Sequence, residues 1–202
     1  MNIIYTILDT IEYSDVAPYA VLLPPYRQEK IARLRFDSDK LLSLAAGLLI
    51  RYAAGDRPIA LNEYGKPYVK DGSAFFSVSH SGTCAAIAVD TAEVGLDVEK
   101  LTDRDYLKTA RRFYHPNELR FVEESCDPAR AFTRIWTRKE AYLKQLGVGI
   151  ATDLSAFDTA SGELGERIHS FDLVGYVLSV CTDRILPMES IHISELELKD
   201  II

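Results

Sequence analysis

Two neighbouring stretches decide the fold of this chain: T-C-A-A-I-A-V-D at residues 83–90 and V-G-L-D-V-E-K at residues 94–100. The first is almost wholly apolar, as is typical of a buried strand. The second has the same character, but Asp97 and Glu99 interrupt it. Because alternate side chains of a strand point to the same face, these two carboxylates share one face. The pattern predicts two strands joined by a short turn, with an acidic pair at the edge of a core.

This acidic pair requires compensation, because burying two like charges costs several kcal/mol per ion. Mg²⁺ is a natural compensator, since it binds a few carboxylate oxygens and keeps other positions for water and substrate phosphate. Gly95, two residues before Asp97, is expected to leave that face of the strand open. The alternative is an edge strand with a solvated acidic face, and D-x-E taken alone favours this alternative.

The composition limits the classes of protein to which the chain can belong. The 202 residues are 48% hydrophobic and 26% charged, with a formal net charge of −7. These proportions are typical of a globular protein with one sizeable core or two tightly joined halves. The acidic balance argues against binding nucleic acid by bulk electrostatics. The apolar run at residues 41–50 is shorter than the roughly 20 residues that span a bilayer. Scattered cysteines and the lack of a basic signal segment predict a cytoplasmic protein without membrane segments.

Periodicity in the rest of the chain predicts an α+β fold. In the first hundred residues we expect a strand at 2–8, helices across 26–54 with Asp37 or Ser38 as a cap, a hairpin at 62–69 and a strand at 75–82. The second hundred repeat this order loosely, with helices at 103–113, from Asn117, and at 129–146 before Gly147 and Gly149, and strands at 169–173, 176–181 and 190–198. We therefore expect two halves, residues 1–100 and 101–202.

The predicted helix at 129–146 carries W-T-R-K-E-A-Y-L-K at residues 136–144. Trp136, Glu140 and Lys144 are four residues apart and so lie along one face. A Glu four residues before a Lys is also a common stabilising pair, worth about 0.2–0.5 kcal/mol. That alternative does not explain the single Trp of the chain on the same face.

Two further sets of residues are suited to binding phosphate. S-V-S-H-S-G at residues 77–82 places hydroxyls and a glycine around His80 at a strand end, where a turn can bind phosphate oxygens. A Ser–His nucleophile is a rival interpretation, but it lacks a G-x-S-x-G motif; a structural turn histidine is the other alternative. Arg27, Lys30 and Lys66 supply positive charge, although a solvated helix face would also explain the first two. Walker and Rossmann motifs are absent from the sequence.

Taken in order, the motifs resemble one family. Y-G-K-P, F-S-V-S-H-S, G-L-D-V-E, F-Y-H-P-N-E and W-T-R-K-E-A-Y-L-K-Q-L-G-V-G are similar to the motifs of 4′-phosphopantetheinyl transferases. The similarity covers about residues 27–150 and fits the single-chain type represented by the surfactin-synthetase-activating and enterobactin enzymes. It implies two similar α+β halves related by a pseudo-twofold, with the site in the cleft between them.

The resemblance also implies an activity. The family transfers the 4′-phosphopantetheine arm of coenzyme A to a serine of an apo acyl or peptidyl carrier protein, uses Mg²⁺ and releases 3′,5′-ADP. We expect coenzyme A and a carrier protein as partners, and a monomer. A non-catalytic protein that binds coenzyme A or a carrier protein is the alternative, and a generic Mg²⁺ phosphohydrolase is a third hypothesis.

The resemblance also implies which residues of this chain form the site, motif by motif. The metal acids implied by the resemblance are Asp97, Glu99 and Glu140. The implied catalytic residues are Glu140, Lys144 and His80, of which His80 and Lys144 also contact the pyrophosphate. The implied coenzyme A ligands at the adenosine end are Arg27, Lys30 and Lys66, with Ser43 and Ser79 as further contacts. Arg27 stands where a Lys is often found. The proton of the carrier serine is expected to pass to Glu140 or to a metal-linked water. The acid at Glu118 has a variable role in the family.

Overall fold

Runs of helices follow runs of strands along the computed structural model, which describes residues 1–55, 57–103, 106–148 and 152–202. The first elements are β1 (Asn2–Ile7), α1 (Tyr13–Val16), α2 (Pro25–Arg33), α3 (Asp37–Ala54), β2 (Ile59–Leu61), β3 (Pro67–Val69), β4 (Phe75–Ser81), β5 (Cys84–Asp90) and β6 (Val94–Lys100). The later elements are α4 (Tyr106–Phe113), α5 (Pro116–Glu123), α6 (Pro128–Leu146), α7 (Gly162–Glu166), β7 (Ile168–Leu173), β8 (Tyr176–Thr182), β9 (His192–Glu195) and α8 (Leu198–Ile201). The α+β class is confirmed.

Most strands belong to two sheets. The first has the order β4-β5-β1-β9, in which β5 runs antiparallel to both neighbours and β9 runs parallel to β1. The second has the order β6-β8-β7 and is antiparallel throughout. The short strands β2 and β3 form a separate hairpin, as the sequence predicts. The turn between β5 and β6 therefore carries the chain from one sheet to the other.

The two sheets pack face to face between two long helices. One face of the first sheet, with Ala85 and Ile87, packs on α3 through Leu44 and Leu48. Its other face packs on the second sheet through buried aliphatic side chains, including Ile3, Ala86, Leu96 and Leu178. The far face of the second sheet meets α6, where Ala141 contacts Cys181. The layers therefore run helix, sheet, sheet, helix, because each sheet buries both of its faces.

Each of the two sheets contains strands from both sides of residue 100. Strand β6 precedes that residue but pairs with β8 in the second sheet, with Asp97 opposite Ser179. Strand β9 lies near the end of the chain but pairs with β1 in the first sheet, with Ile3 opposite Ile193. The division into residues 1–100 and 101–202 stays a prediction, and each of these segments lends a strand to the sheet formed mainly by the other.

A serine seam, formed by Ser77, Ser79 and Ser81 of β4, joins the two sheets. Strands β4 and β6 belong to different sheets, yet the side chains of these serines reach β6. Ser77 Oγ accepts from the backbone N–H of Leu96 at 2.9 Å, and Ser79 Oγ donates to Asp97 at 2.8 Å. Because alternate residues of a strand share a face, all three hydroxyls point at the same neighbour. The seam fixes β6 against β4.

Gly95 allows α6 to lie directly on β6. A Cβ added at Gly95 would be 1.9 Å from the carbonyl oxygen of Ala141 and 2.2 Å from the backbone nitrogen of Gln145. The expectation that Gly95 leaves an open face is therefore wrong, since helix backbone fills that space. The close approach brings Glu140 and Lys144 of α6 over the face of β6 that carries the acidic pair.

Some boundaries differ from the sequence predictions. Helix α3 begins after Phe36, which makes no side-chain capping bond, so neither Asp37 nor Ser38 is its cap. Helix α5 begins one residue early, because His115 caps it through a hydrogen bond from the backbone N–H of Asn117. The strand predicted at 190–198 shrinks to β9 and is followed by α8. Residues 104 and 105 of a predicted helix, and Gly149, lie outside the described residues.

None of the helices in the described ranges combines the length and the apolar character needed to cross a bilayer.

Candidate active site

A cleft of about 510 Å³ opens where α2, the β2–β3 hairpin, β4, β6 and α6 meet. Its lining contains most of the site residues that the sequence predicts. These are Arg27, Lys30, Ser79, His80, Asp97, Glu99, Glu140 and Lys144. The chain is thus folded so that acidic and basic residues separated by more than a hundred positions share one cavity.

Three carboxylates enter the cleft from two elements. Asp97 and Glu99 come from β6, and Glu140 comes from α6. Asp97 is 3% exposed, and its Oδ1 accepts from Lys144 Nζ at 2.7 Å and from Ser79 Oγ at 2.8 Å. Glu99 accepts from Ser81 Oγ at 2.6 Å. The seam therefore holds the two acids of β6, and Lys144 neutralises one of them.

Two of the buried carboxylate oxygens in the cleft have no hydrogen-bond partner in the described part of the chain: Asp97 Oδ2 and Glu140 Oε1. Leaving such an atom unsatisfied costs free energy. Burial raises the pKa of Glu140, and the charges of Asp97 and Glu99 raise it further, while Lys144 lowers it. The cleft is therefore short of positive charge beside these acids.

The three carboxylates have the chemistry to bind a hard cation, but they do not yet lie close enough together to surround one. Carboxylate oxygens are the ligands that Mg²⁺ prefers, and the two unpartnered oxygens are available to it. Across the four described ranges, however, no three Asp, Glu, His or Cys side chains already lie close enough together to hold a metal ion. One reason is visible: the Lys144 ammonium sits on Asp97 Oδ1.

Basic side chains also line the cleft. The side chains of Arg27 and Lys30 have no hydrogen-bonded or ion-paired partner among the described residues, and the hydrogen bond of His80 is to its own backbone. Burial lowers the pKa of Arg27 and of Lys30, and Arg27 lowers that of Lys30 further. Burial also lowers the pKa of His80, as do the nearby charges of Lys144, Lys30 and Arg27. These groups repel one another, so an anion in the cleft would stabilise them.

Lys66 and Ser43 lie outside this cleft lining. Lys66 Nζ contacts Glu93 at 3.1 Å and the backbone carbonyl of Val94 at 3.4 Å, and so ties the hairpin to the start of β6. Ser43 is buried within α3, and its hydroxyl has no partner in the described ranges. Gly65 and Pro67, on either side of Lys66, do line the cleft.

Trp136 connects the cleft to a second cavity. It lies one turn before Glu140 on α6 and borders both spaces. The second cavity measures about 160 Å³ and is also lined by Glu99, Tyr106 and Phe132. Tyr106 is 8% exposed, and its hydroxyl has no partner in the part of the chain that the structure describes. An aromatic cavity with one unsatisfied polar atom therefore adjoins the acids.

Sequence reasoning left Glu118 without a role and did not single out Lys139. Both side chains are fully buried, with 2.6 Å between Glu118 Oε2 and Lys139 Nζ. Lys139 also donates to the carbonyls of Leu154 and Phe157, and Glu118 accepts from Thr159. This pair lies away from the cleft lining and fixes α5, α6 and the segment at residues 154–159 together.

Ser77 and Ser81 were also missed as partners of β6. A signal for them exists, because S-V-S-H-S places hydroxyls at alternate positions, as V-G-L-D-V-E does carboxylates. No comparable pattern marks Lys139, whose partner Glu118 is 21 residues away in an unrelated helix.

Known proteins resemble this chain in sequence. Residues 93–181, which span β6 to β8, match the 4′-phosphopantetheinyl transferase superfamily. The 4′-phosphopantetheinyl transferase psf-1 of Bacillus pumilus is 31% identical over 186 residues, covering 80% of this chain and 79% of psf-1. The 4′-phosphopantetheinyl transferase AcpT of Salmonella typhi is 34% identical over 145 residues, covering 69% of this chain and 74% of AcpT.

Other relatives are covered less fully. The 4′-phosphopantetheinyl transferase gsp of Aneurinibacillus migulanus is 35% identical over 98 residues, which are 48% of this chain and 40% of gsp. A 4′-phosphopantetheinyl transferase of Bacillus subtilis is 32% identical over 142 residues, which are 63% of its length. The chain therefore spans less than two thirds of these two relatives.

Proposed function

The chain belongs to the 4′-phosphopantetheinyl transferase superfamily, and we propose that it transfers the 4′-phosphopantetheine arm of coenzyme A to a serine of an apo acyl or peptidyl carrier protein. The observation that carries this proposal is the single cleft that is lined both by three carboxylates and by basic side chains, namely Arg27, Lys30, His80 and Lys144. Such a lining suits a substrate with a pyrophosphate next to a phosphorylated nucleoside. Coenzyme A has this chemistry.

Asp97, Glu99 and Glu140 are the residues that would hold Mg²⁺. The two unpartnered buried oxygens of Asp97 and Glu140 support this assignment. When bound, the metal would neutralise negative charge on the pyrophosphate. Asp97 would offer its unpartnered Oδ2 while its Oδ1 keeps the bond with Lys144.

The basic residues bind and orient the substrate. Arg27 and Lys30 of α2 suit the phosphate at the adenosine end, where Arg27 can make two parallel hydrogen bonds. His80, at the end of β4, and Lys144 suit the pyrophosphate oxygens. Ser79 contacts both Asp97 and Lys144 and keeps the ammonium beside the acid. Charge-assisted donors placed in advance stabilise the charge that develops on the leaving group.

In the transfer step, the oxygen of the carrier serine attacks the phosphorus that bears the pantetheine arm. A new O–P bond forms, the bridging P–O bond of the pyrophosphate breaks, and 3′,5′-ADP leaves with the electron pair. The serine proton passes to Glu140, whose Oε1 lacks a partner and whose pKa is raised. A base with a raised pKa is better matched to neutral pH.

The arm itself fits the adjoining aromatic cavity. This cavity shares Trp136 and Glu99 with the cleft, so a chain attached to the pyrophosphate reaches it directly. The Tyr106 hydroxyl, which lacks a partner among the described residues, would hydrogen-bond an amide of the arm.

We also propose the remaining family properties for this chain. The layer order of helix, sheet, sheet and helix supports two similar halves related by a pseudo-twofold. A site whose acids and cations all come from one chain supports a monomer. Coenzyme A as substrate, Mg²⁺ as cofactor and a cytoplasmic location belong to the same proposal.

A mass measurement tests the function. The protein is mixed with apo carrier proteins, coenzyme A and Mg²⁺, and the carriers are weighed by mass spectrometry. We expect the mass of one phosphopantetheine to be added to a carrier. Asp97→Ala and Glu140→Ala should abolish the gain, whereas Glu189→Ala, at an exposed acid outside the cleft, should not. Calorimetric binding of coenzyme A without transfer to any carrier of a broad panel would contradict the proposal and favour a non-catalytic binding protein.

A further inference from the structure

The β2–β3 hairpin is attached to the rest of the fold differently at its two ends. At the end away from its turn, Val69 is buried and packs in the core that includes α3. Towards the turn, the side chains of Leu61 and Tyr64 are exposed. A two-stranded hairpin is only marginally stable by itself in water, and in the described ranges β2 and β3 pair with each other alone. The position of the turn therefore depends on the polar bonds that reach it.

Asn62 makes such bonds in two directions. Its Oδ1 accepts from the backbone N–H groups of Tyr64 and Lys66, both at 2.9 Å, and so shapes the turn. Its Nδ2 donates to the backbone carbonyl of Gly147 at 3.1 Å, where α6 ends. A short amide side chain suits this double task, because it carries an acceptor and a donor group together. Asn62 therefore joins the hairpin turn to the helix that carries Glu140 and Lys144.

The end of α6 is shaped to receive this bond. The last carbonyl groups of a helix have no partner within the helix, so an outside donor satisfies one of them. Gly147 has a φ of +70°, the left-handed conformation with which glycine commonly ends a helix. A Cβ added at Gly147 would lie 3.2 Å from Asn62 Nδ2. The missing side chain therefore allows the turn to approach the helix end closely.

The bond from Asn62 to Gly147 spans a space beside the cleft. This space, the hairpin gap, measures about 300 Å³ and lies between the turn and α6. Four residues border both the gap and the cleft: Gly65 and Pro67 from the hairpin, and Glu140 and Lys144 from α6. The width of the cleft on this side therefore depends on the distance between the turn and the helix.

Lys66 also links the turn to α6, but its link is of a different kind. Its Nζ lies 3.5 Å from the carbonyl oxygen of Gln145 and 3.1 Å from Glu93. The family motif predicts that this ammonium contacts a phosphate of the substrate, and it would then leave these partners. The bond from Asn62 to Gly147 involves no predicted substrate ligand, so it stays in place when the substrate binds.

We propose that Asn62 is a positioning residue that holds the hairpin turn at a fixed distance from α6 and thereby sets the affinity of the cleft for coenzyme A. This inference rests on the proposed function and deepens it by naming a residue outside the cleft lining. Helix α6 has other contacts that place it, since its backbone lies on Gly95 and its Lys139 pairs with Glu118. Loss of the bond should therefore move the turn and leave the helix in place.

Calorimetric binding of coenzyme A tests the proposal without turnover. Asn62→Ser is the decisive substitution, because a serine hydroxyl can still accept from the turn amides but is too short to reach the Gly147 carbonyl. We expect its Kd for coenzyme A to rise about fivefold to tenfold, as the loss of one hydrogen bond implies. Asn62→Ala also removes the bonds within the turn, so its Kd should rise at least as much.

Asp71→Ala is the matched control. Asp71 Oδ1 accepts from the backbone N–H of Ser73 at 2.9 Å, in the turn between β3 and β4. This is the same kind of bond from a side chain to a turn amide, but Asp71 is exposed and makes no bond to α6. The substitution should leave the Kd for coenzyme A unchanged.

Steady-state kinetics separate positioning from a general structural defect. In Asn62→Ser, the KM for coenzyme A should rise by the same factor as the Kd, whereas kcat at saturating coenzyme A should stay within about twofold of wild type. Hydrogen exchange then identifies the element that moves. The amides of residues 59–69 should exchange faster in Asn62→Ser, whereas those of α6 should keep their protection.

The outcomes distinguish this inference from the proposed function. An unchanged Kd in Asn62→Ser, beside a wild-type protein that binds coenzyme A, overturns the inference alone. A fall in kcat together with faster exchange in α6 also overturns it, because Asn62 would then support the helix and not the turn. Binding without transfer to any carrier refutes the proposed function, yet the Kd comparison still decides the role of Asn62. A wild-type protein that does not bind coenzyme A overturns both.

Discussion

Glu118 and Lys139 form an ion pair of 2.6 Å between two side chains that are both fully buried. Each charge has further partners: Lys139 Nζ donates to two carbonyls and lies 4.2 Å from the centre of the Phe157 ring, and Glu118 also accepts from the backbone N–H of His115. Lys139 directly precedes Glu140 on α6. The pair therefore sets where α6 lies, and with it where the Glu140 carboxylate stands.

Removing one member of this pair should strongly destabilise the protein. Lys139→Met or Glu118→Gln leaves a buried group unpaired, which costs about 3–5 kcal/mol in the free energy of unfolding. Denaturant unfolding measures this loss. The double variant Glu118→Leu/Lys139→Met should lose much less than the sum of the single variants, because neither charge is left behind. Arg33→Met, at the exposed pair with Glu29, is the control and should change stability by less than about 1 kcal/mol.

Gly95→Ala should prevent α6 from docking on β6. The added Cβ would lie 1.9 Å from a helix carbonyl oxygen, so the helix must move and carry Glu140 and Lys144 with it. We expect a loss of about 3 kcal/mol or more in stability and loss of transfer activity, measured by urea unfolding and the carrier mass assay. Gly175→Ala, in the β7–β8 turn with φ +78° and open space around it, should cost only the strain of about 1–2 kcal/mol. Equal effects of the two substitutions would contradict this account of Gly95.

Coenzyme A binding should take up a proton at His80. In the free protein, burial and three neighbouring cations hold the pKa of His80 below its usual value. A bound polyanion adds negative charge and raises that pKa, so the complex binds more protons than the free protein between the two pKa values. Affinity for coenzyme A should therefore rise as the pH falls through this window. Calorimetry in buffers of different ionisation enthalpy measures the uptake, and His80→Gln should reduce it by up to about one proton; an unchanged uptake would refute the assignment.

Glu140→Gln should stabilise the metal-free protein at neutral pH. The pKa of Glu140 is raised in the folded state, so the folded state binds its proton more tightly than the unfolded state. Stability is then lost as the pH rises from the unfolded pKa through the folded one. A neutral glutamine removes that penalty, and its advantage should fade at acid pH.

Thermal unfolding in the presence of a chelator measures this effect. Added Mg²⁺ should raise the Tm of the wild-type protein by mass action but should have a much smaller effect on Glu140→Gln. A wild-type Tm that is insensitive to Mg²⁺, together with an unchanged Tm in the variant, would count against a cation at this carboxylate.

Much of the fold follows from the sequence because local patterns decide local structure. Alternation and apolar runs identified β4, β5 and β6. A four-residue spacing placed Trp136, Glu140 and Lys144 on one helix face, and these three side chains line the cleft. Sheet membership did not follow, because the strand sequences of β6 and β9 carry no mark of which distant strand they join.

The parts of the site that sequence reasoning missed depend on contacts between distant elements. The role of Gly95 was misjudged because the backbone of α6, some 46 residues later, fills the space beside it. Lys139 was missed because a buried ion pair and an exposed helix lysine have the same sequence pattern. Lys66 stays a predicted phosphate ligand; its contact with Glu93 was not foreseen, since a turn sequence does not specify which neighbour its side chain meets.

The parallel pairing of β1 with β9 has a consequence for biosynthesis. β1 leaves the ribosome well before the strand that covers its edge, which lies about 190 residues later. Until β9 has been made, the edge at Asn2 to Tyr5 therefore stays open to other nascent chains, and open strand edges template aggregation. The first sheet is completed only when β9 has been released. For this protein, a translation pause before β9 or a nonsense mutation upstream of it exposes β1, so yield in cells should depend on chaperones that bind this strand.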